Sequence, residues 1–348
     1  MRGVVYLAPR CVRVEDDLPE PAVAGPRDAV IRVTRTAICG TDLHPYLGEI
    51  PGFGAGTVLG HEFTGVVVDV GAEVPFEPGQ RVLASDIVAC GRCPVCARGW
   101  HYHCPQVTLF GYSTVVGRSI AGGQAERVLV PFADVVLSAC PPDLTDEQAL
   151  FAGDILTTGF TAAARAEIVP GAVVAVVGAG PVGLLGAMCA SVLGAGVVVV
   201  SDPDARRRAV AASLGLRTAE PATLGEVVRS LSGGWGAVSV IEAVGSDAAL
   251  ASALDVVAPR GTLVAVGAHQ ARAMPFAAAT AFAREVTLRF AVGDPIQSRE
   301  QVLALVTTGR IDPTAIISHR LSLSEAPLGY DLFARREATK VVLLADGS

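Results

Sequence analysis

From Ile168 to Ser201 the chain carries no charged residue. A stretch that long and apolar has two folded outcomes: a helix across a bilayer, which needs about 20 apolar residues, or a unit buried inside a protein. Its punctuation decides between them. Gly178, Gly180, Pro181, Gly183, Gly194 and Gly196 interrupt it, between runs such as VVAVV and VVVV that are rich in β-branched residues. Glycine and proline mark turns, and parallel strands covered on both faces read as unbroken apolar runs. The stretch therefore predicts a buried strand–helix–strand unit and no membrane span.

The neighbouring sequence extends this pattern. Between 155 and 290 the runs VVAVV, VVVVS, VSVIEAV and TLVAVG alternate with Ala-rich helical segments, which predicts an α/β fold with a doubly wound parallel sheet. Residues 1–154 have a different texture. AVIRVTR, FTGVVVDV, QRVLAS and ERVLVPF are short β-like runs separated by Gly and Pro, as in an antiparallel, β-rich domain. At 348 residues the chain is too long for one ordinary core, so two domains are expected.

Charge narrows the possible partners. The net charge is −7 and the longest basic run is Arg206-Arg207-Arg208, expected on a solvated helix face. Nucleic-acid binding wants a basic stripe, so this class is excluded. The N-terminal MRGVVYLAPRCVRVEDD has no long apolar core and no small-residue cleavage site, which makes a reducing cytoplasm the expected compartment. Thiols there stay reduced, so the eight cysteines point to metal binding over disulfides.

Within the uncharged stretch, VVAVVGAGPVGLLGAMC sets Gly178, Gly180 and Gly183 between a strand and a helix. Gly178 permits the tight turn, Gly180 admits a pyrophosphate close to the backbone, and Gly183 lets helix and strand pack. Pro181 and Val182 open the helix, whose free N–H groups suit phosphate. Asp202 follows the second strand, 24 positions past Gly178, near the ~20 of a dinucleotide fingerprint. Its carboxylate would accept hydrogen bonds from ribose hydroxyls and repel a 2′-phosphate, predicting NAD over NADP. Arg206 and Arg207 keep NADP open, because a guanidinium pairs with that phosphate.

Cys90, Cys93, Cys96 and Cys104 are spaced C-x2-C-x2-C-x7-C. Four thiolates complete a closed tetrahedral set, which suits structural zinc and leaves no vacancy for substrate. Gly91, Pro94 and Gly99 suit a loop wrapped around an ion. His101 and His103 are expected at the surface. A catalytic ion needs three protein ligands and an open position. AICGTDLHPYLG and LGHEFTGVVVDVGAEV supply Cys39, Thr41, Asp42, His44, His61 and Glu62 for one.

The pattern G-H-E-x2-G-x5-G-x2-V from Gly60 to Val74 resembles the signature of zinc-dependent medium-chain alcohol dehydrogenases, and the cysteine loop and dinucleotide turn follow in that family's order. LFAGDILTTGF and ATAFAREVTLRF look closest to the bacterial formaldehyde-dehydrogenase-like branch. The resemblance implies a GroES-like catalytic domain over 1–154 and 291–348 and a Rossmann domain over 155–290. It also implies two zinc ions per chain, one catalytic and one structural. Carried over by position, Cys39, His61 and Asp154 are the catalytic ligands. Asp154 stands where many relatives have cysteine, and a helix N-cap is its competing role. Asp42 resembles the acid that orients the ligand histidine, and Glu62 an acid active in ligand exchange. Thr41 and His44 resemble a proton relay. Thr158 and Val182 fall where relatives meet the nicotinamide half, and Lys340 at a pyrophosphate contact. Gly40 replaces a basic residue that meets the same phosphates in some branches. The implied reaction moves a hydride between a small alcohol, or an aldehyde in reverse, and NAD. A threonine or polyol dehydrogenase, a formaldehyde-dismutase-like enzyme that retains NAD, and a non-catalytic NAD- or zinc-binding regulator are the alternatives. A homo-oligomer, tetramer or dimer, is expected by the same likeness.

Overall fold

The computed structural model describes residues 1–269 and 273–345. It divides into two compact units. One comprises Met1–Asp154, Asp294–Thr307 and Ile317–Ser348, the other Ile155–Gly293 and Thr308–Ile316. The expectation that everything beyond 290 joins the first unit needs correction. The turn Pro313–Ile316 packs on the helix Pro181–Val192, and the Arg310 guanidinium donates to Val192 O at 3.0 Å. Gly293 lies so close to Thr158 that a Cβ would sit 2.3 Å from its Oγ1.

The first unit is built on a mostly antiparallel sheet ordered His319–Ser322, Val341–Leu344, Ala29–Ile38, Phe63–Val70, Arg81–Ala84, Leu137–Ala139. Arg127–Val130 pairs with the first half of Ala29–Ile38, and Val341–Leu344 with the second half. That long strand is covered on both faces, which explains why AVIRVTRTAI does not alternate cleanly. Strand register gathers three distant segments at its C-terminal end. Val341 lies opposite Ile38, and Phe63 opposite Thr36. Cys39, Lys340 and Glu62 therefore emerge together, each one residue beyond a paired strand position.

The second unit is a six-stranded parallel sheet ordered Arg217–Ala219, Val197–Ser201, Val173–Val177, Ala237–Glu242, Val257–Ala265, Thr287–Phe290. It is the Rossmann arrangement expected from the alternating apolar and Ala-rich runs. Strand order reverses beside Val173–Val177, the place where such sheets bind nucleotides. Among the described residues no helix is long and apolar enough to cross a membrane.

Candidate metal centres and coenzyme turn

Cys39 ends the central strand and caps the short helix Gly40–Tyr46. His61 and Glu62 precede the strand Phe63–Val70, and Asp154 precedes the helix Ile155–Arg165. The fold brings one donor atom from each of these four buried residues within 4.8 Å of the others. Cys39 Sγ is 3.6 Å from Asp154 Oδ2, and His61 Nε2 is 3.4 Å from the same oxygen. A tetrahedral site with bonds of ~2.0–2.3 Å spaces neighbouring ligand atoms about 3.3–3.8 Å apart. Neither nitrogen of His61 makes a hydrogen bond among the described residues, despite carboxylate oxygens at 3.3 and 3.4 Å. Buried polar atoms are seldom left so. A thiol, an imidazole and carboxylates that converge at ligand spacing, with both imidazole nitrogens left without a hydrogen bond, fit a cation between them.

Electrostatics set the state of the cysteine. Burial, reinforced by the Glu62 and Asp154 carboxylates, pushes the Cys39 thiol up to about 12. Only a bound cation would hold a thiolate there at neutral pH. The histidine is oriented from behind. Asp42 Oδ1 lies 3.3 Å from His61 Nδ1, while Oδ2 accepts from Cys39 N at 2.9 Å and Gln124 Nε2 at 3.3 Å. Nε2 is thereby the nitrogen that faces the cluster.

Lys340 stands elsewhere than expected. Its ammonium is 0% exposed and donates to Glu62 Oε2 at 2.5 Å. A cation enclosed in this way has no approach to a pyrophosphate, and the register opposite Ile38 is the cause. Glu62 keeps Oε1 without a hydrogen-bond partner among the described residues, so one carboxylate oxygen is free to act as a fourth donor. Thr41 and His44 lie one helical turn apart on Gly40–Tyr46, both half-buried, and His44 Nδ1 is 2.6 Å from Glu49 Oε2.

Cys90, Cys93, Cys96 and Cys104 form the second cluster. Sγ of Cys90 is 3.6 Å from that of Cys104 and 4.0 Å from that of Cys96. These separations suit four thiolates around one ion and are far too long for a disulfide of ~2.05 Å. Gly91 and Gly99 turn the loop with φ of 68° and 75°, which glycine adopts without cost. His103 is exposed as expected, but His101 is buried, with Nδ1 3.0 Å from Asp294 Oδ1. Apart from the cysteines it holds the loop to the helix Pro295–Thr307, whose first turn Asp294 caps through Gln297 N at 3.1 Å.

In the second unit Gly178 has φ of +106°, and Gly180 caps the helix that Pro181 opens. A Cβ on Gly183 would lie 2.0 Å from Gly178 O. Asp202 is buried, and its oxygens accept from Ala179 N and Asp204 N, each at 2.9 Å. It thus fastens the glycine turn to the second strand. Arg207 reaches back over the turn, with Nη1 3.8 Å from Asp202 Oδ2. Arg206 is exposed, but Arg207 and Arg208 are half-buried, so the basic run is not one solvated face. Val182 and Thr158 are half-buried in their helices.

Four site neighbours carry weak sequence signals. Gln124, fully buried, donates to Ala37 O and Asp42 and accepts from Tyr330 Oη at 2.8 Å. An amide within a glycine run is its only sign. Asp86 interrupts the apolar run RVLASDIVA and accepts from Tyr102 Oη. Burial first, then the nearby Asp154 carboxylate, raises its pKa well above the usual range.

A dinucleotide fold together with one closed and one open donor set defines a metal-dependent dehydrogenase. Comparison with known proteins makes this specific. Residues 25–143 match the alcohol dehydrogenase GroES-like domain and 181–308 the zinc-binding dehydrogenase domain. A Mycobacterium tuberculosis protein named "Probable zinc-binding alcohol dehydrogenase" is 39% identical over 95% of this chain and 84% of its own. An alcohol dehydrogenase of Cupriavidus necator is 33% identical over 97% and 96%. The solved structure of alcohol dehydrogenase TADH from Thermus sp. ATN1 superposes with a TM-score of 0.94, at 41% identity and 99% of both chains. The chain belongs to the zinc-binding medium-chain alcohol dehydrogenase family, oxidoreductases that act on CH–OH donors.

Proposed function

We propose that the chain interconverts a small alcohol and its aldehyde with NAD as the preferred coenzyme, through a zinc ion on Cys39, His61 and Asp154. The observation that carries this is the convergence of those three donors at 3.4 and 3.6 Å with the His61 nitrogens unbonded. When bound, zinc supplies Lewis acidity that lowers a hydroxyl pKa, and nicotinamide accepts the hydride.

The chain's own groups do the rest. Cys39 and Asp154 supply two negative charges against the dication, and His61 a neutral donor kept in orientation by Asp42. Glu62, anchored by Lys340, can lend Oε1 as ligands exchange. The substrate hydroxyl proton must leave a site whose walls are buried. Thr41 is the hydroxyl that would take it up, and His44, held by Glu49, is the imidazole that would release it to water. In the second unit the Gly178–Gly183 turn and helix N-terminus bind the pyrophosphate, with Thr158 and Val182 on the nicotinamide side. Asp202 meets the adenosine ribose and Arg207 lies beside it. The four-cysteine ion is structural.

Within the family, LFAGDILTTGF and ATAFAREVTLRF support a place near the formaldehyde-dehydrogenase-like bacterial members. Eight unpaired cysteines support a reducing cytoplasm, and a dimer or tetramer is the working form we infer. The test is a panel of short alcohols, aldehydes, polyols and threonine with NAD and NADP, on protein of measured zinc content, read by nicotinamide absorbance. Turnover of a short primary alcohol or aldehyde with two zinc ions per chain is the expected result. Protein carrying both ions that turns over only threonine or polyols would overturn the substrate class.

A further inference from the structure

Asp86 is a buried carboxylic side chain that belongs to neither donor cluster, and its hydrogen bonds tie it to a residue beside each. It opens the short strand Ile87–Val88 that leads into Cys90. Its Oδ2 accepts from Tyr102 Oη, and Tyr102 lies in the turn His101–His103 that delivers Cys104. The base of the cysteine loop is thus closed by this hydrogen bond, from the residue before the loop's entry strand to the residue two before its last thiol. On its other side Asp86 N donates to Gly153 O at 3.0 Å. Gly153 is the residue before Asp154, and it has nowhere to retreat: a Cβ there would lie 2.2 Å from Ala84 O. The far end of the turn is fixed too, since His101 N and Nδ1 both bond Asp294, at 2.9 and 3.0 Å.

We propose that Tyr102 and Asp86 are positioning residues for the Asp154 arm, so that the four-cysteine loop sets how tightly the Cys39–His61–Asp154 site holds its metal. The proposal rests on the assignment of that site to zinc. A ligand carboxylate must be held to within about 0.5 Å for its site to bind well. The backbone carrying Asp154 gains that precision from the Asp86 peptide, and the Asp86 side chain gains its own from Tyr102. The bond is made where Asp86 is buried and Tyr102 half-buried, and a hydrogen bond in such a low-dielectric setting is stronger than one in water. The cysteine loop is therefore more than a brace for its own surroundings.

The experiment titrates full-length, zinc-loaded protein with a chelator and follows release of the two ions. The step belonging to Asp154 is assigned as the one absent from Asp154→Ala. Cobalt is then exchanged into that site and its visible d–d spectrum recorded. Tyr102→Phe is expected to leave the four-cysteine step unmoved, to weaken the Asp154 step by about 10–100-fold and to shift the cobalt bands. Asp86→Asn, which keeps its size and a weaker acceptor, is expected to shift both in the same direction by less. Wild-type release and an unchanged cobalt spectrum in Tyr102→Phe overturn the proposal. If that variant does not fold, the same result in Asp86→Asn overturns it. Wild-type protein that binds only one zinc overturns the site assignment and the proposal together. Two ions in wild type with no effect of Tyr102→Phe overturns the proposal alone.

Discussion

Lys340 Nζ donates to Glu62 Oε2 at 2.5 Å, and neither side chain is exposed at all. Burial alone would favour a neutral amine, but Glu62, with Cys39 and Asp154 adding to it, outweighs burial and the Lys340 pKa is raised. Two paired strand ends, held by the register opposite Ile38, bring this ion pair together from opposite ends of the sequence.

Removal of one partner leaves an uncompensated charge in a dry setting. Lys340→Met should therefore destabilise the first unit by about 3–5 kcal/mol, read from urea melts. The double variant Lys340→Met/Glu62→Gln has no orphan charge and should recover at least half of that loss. A double variant no more stable than the single one would mean that the cost lies in packing.

Gly183→Ala should weaken coenzyme binding strongly and leave both zinc ions in place. The added Cβ would overlap Gly178 O, at 2.0 Å, and the helix must move off the turn. A displacement of about 1 Å costs on the order of 10²-fold. Coenzyme fluorescence titration of the variant checks this, and near-wild-type affinity would show that the turn yields without loss.

Thr41→Ala should lower turnover by about 10²–10⁴-fold, the range for loss of a positioned proton acceptor, while zinc content and coenzyme affinity persist. Thr41 and His44 share one turn of the same helix, so His44→Gln should act in the same direction. Its effect should be partly reversed by imidazole-containing buffer. Near-normal turnover in Thr41→Ala would rule out the relay.

Much of this was legible in the sequence for physical reasons. Strand–glycine–helix punctuation is local, and VVAVVGAGPVG folds as its periodicity states. The four cysteines lie within one loop, so their spacing alone carries their geometry. What could not be read depends on strand register. Lys340 in EATKVVLL is expected at a pyrophosphate contact, and only the pairing of Val341 opposite Ile38 reveals where the ammonium goes. His101 is a similar case: nothing near HYH announces Asp294. Thr308–Ile316 carries no mark of the unit it joins, because that is decided by a helix more than a hundred residues earlier.

The coenzyme preference offers the sharpest test of a single charge. Asp202 Oδ2 and Oδ1 each already accept one backbone N–H, from Ala179 and Asp204, yet a carboxylate has further lone pairs to offer a ribose hydroxyl. Asp202→Asn keeps one acceptor oxygen for the turn and removes the negative charge that opposes a 2′-phosphate. Arg207, with Nη1 3.8 Å from that carboxylate, stands where its guanidinium can pair with such a phosphate. The ratio of kcat/KM for NAD over NADP should fall by about tenfold, which corresponds to ~1.4 kcal/mol of lost discrimination. Most of the change should appear as a lower KM for NADP. Addition of Arg207→Ala should cancel that gain, because the variant then has neither repulsion nor attraction at the ribose. An unchanged ratio in Asp202→Asn would mean that discrimination is not made at the end of the second strand, and that Asp202 serves only to fasten the glycine turn.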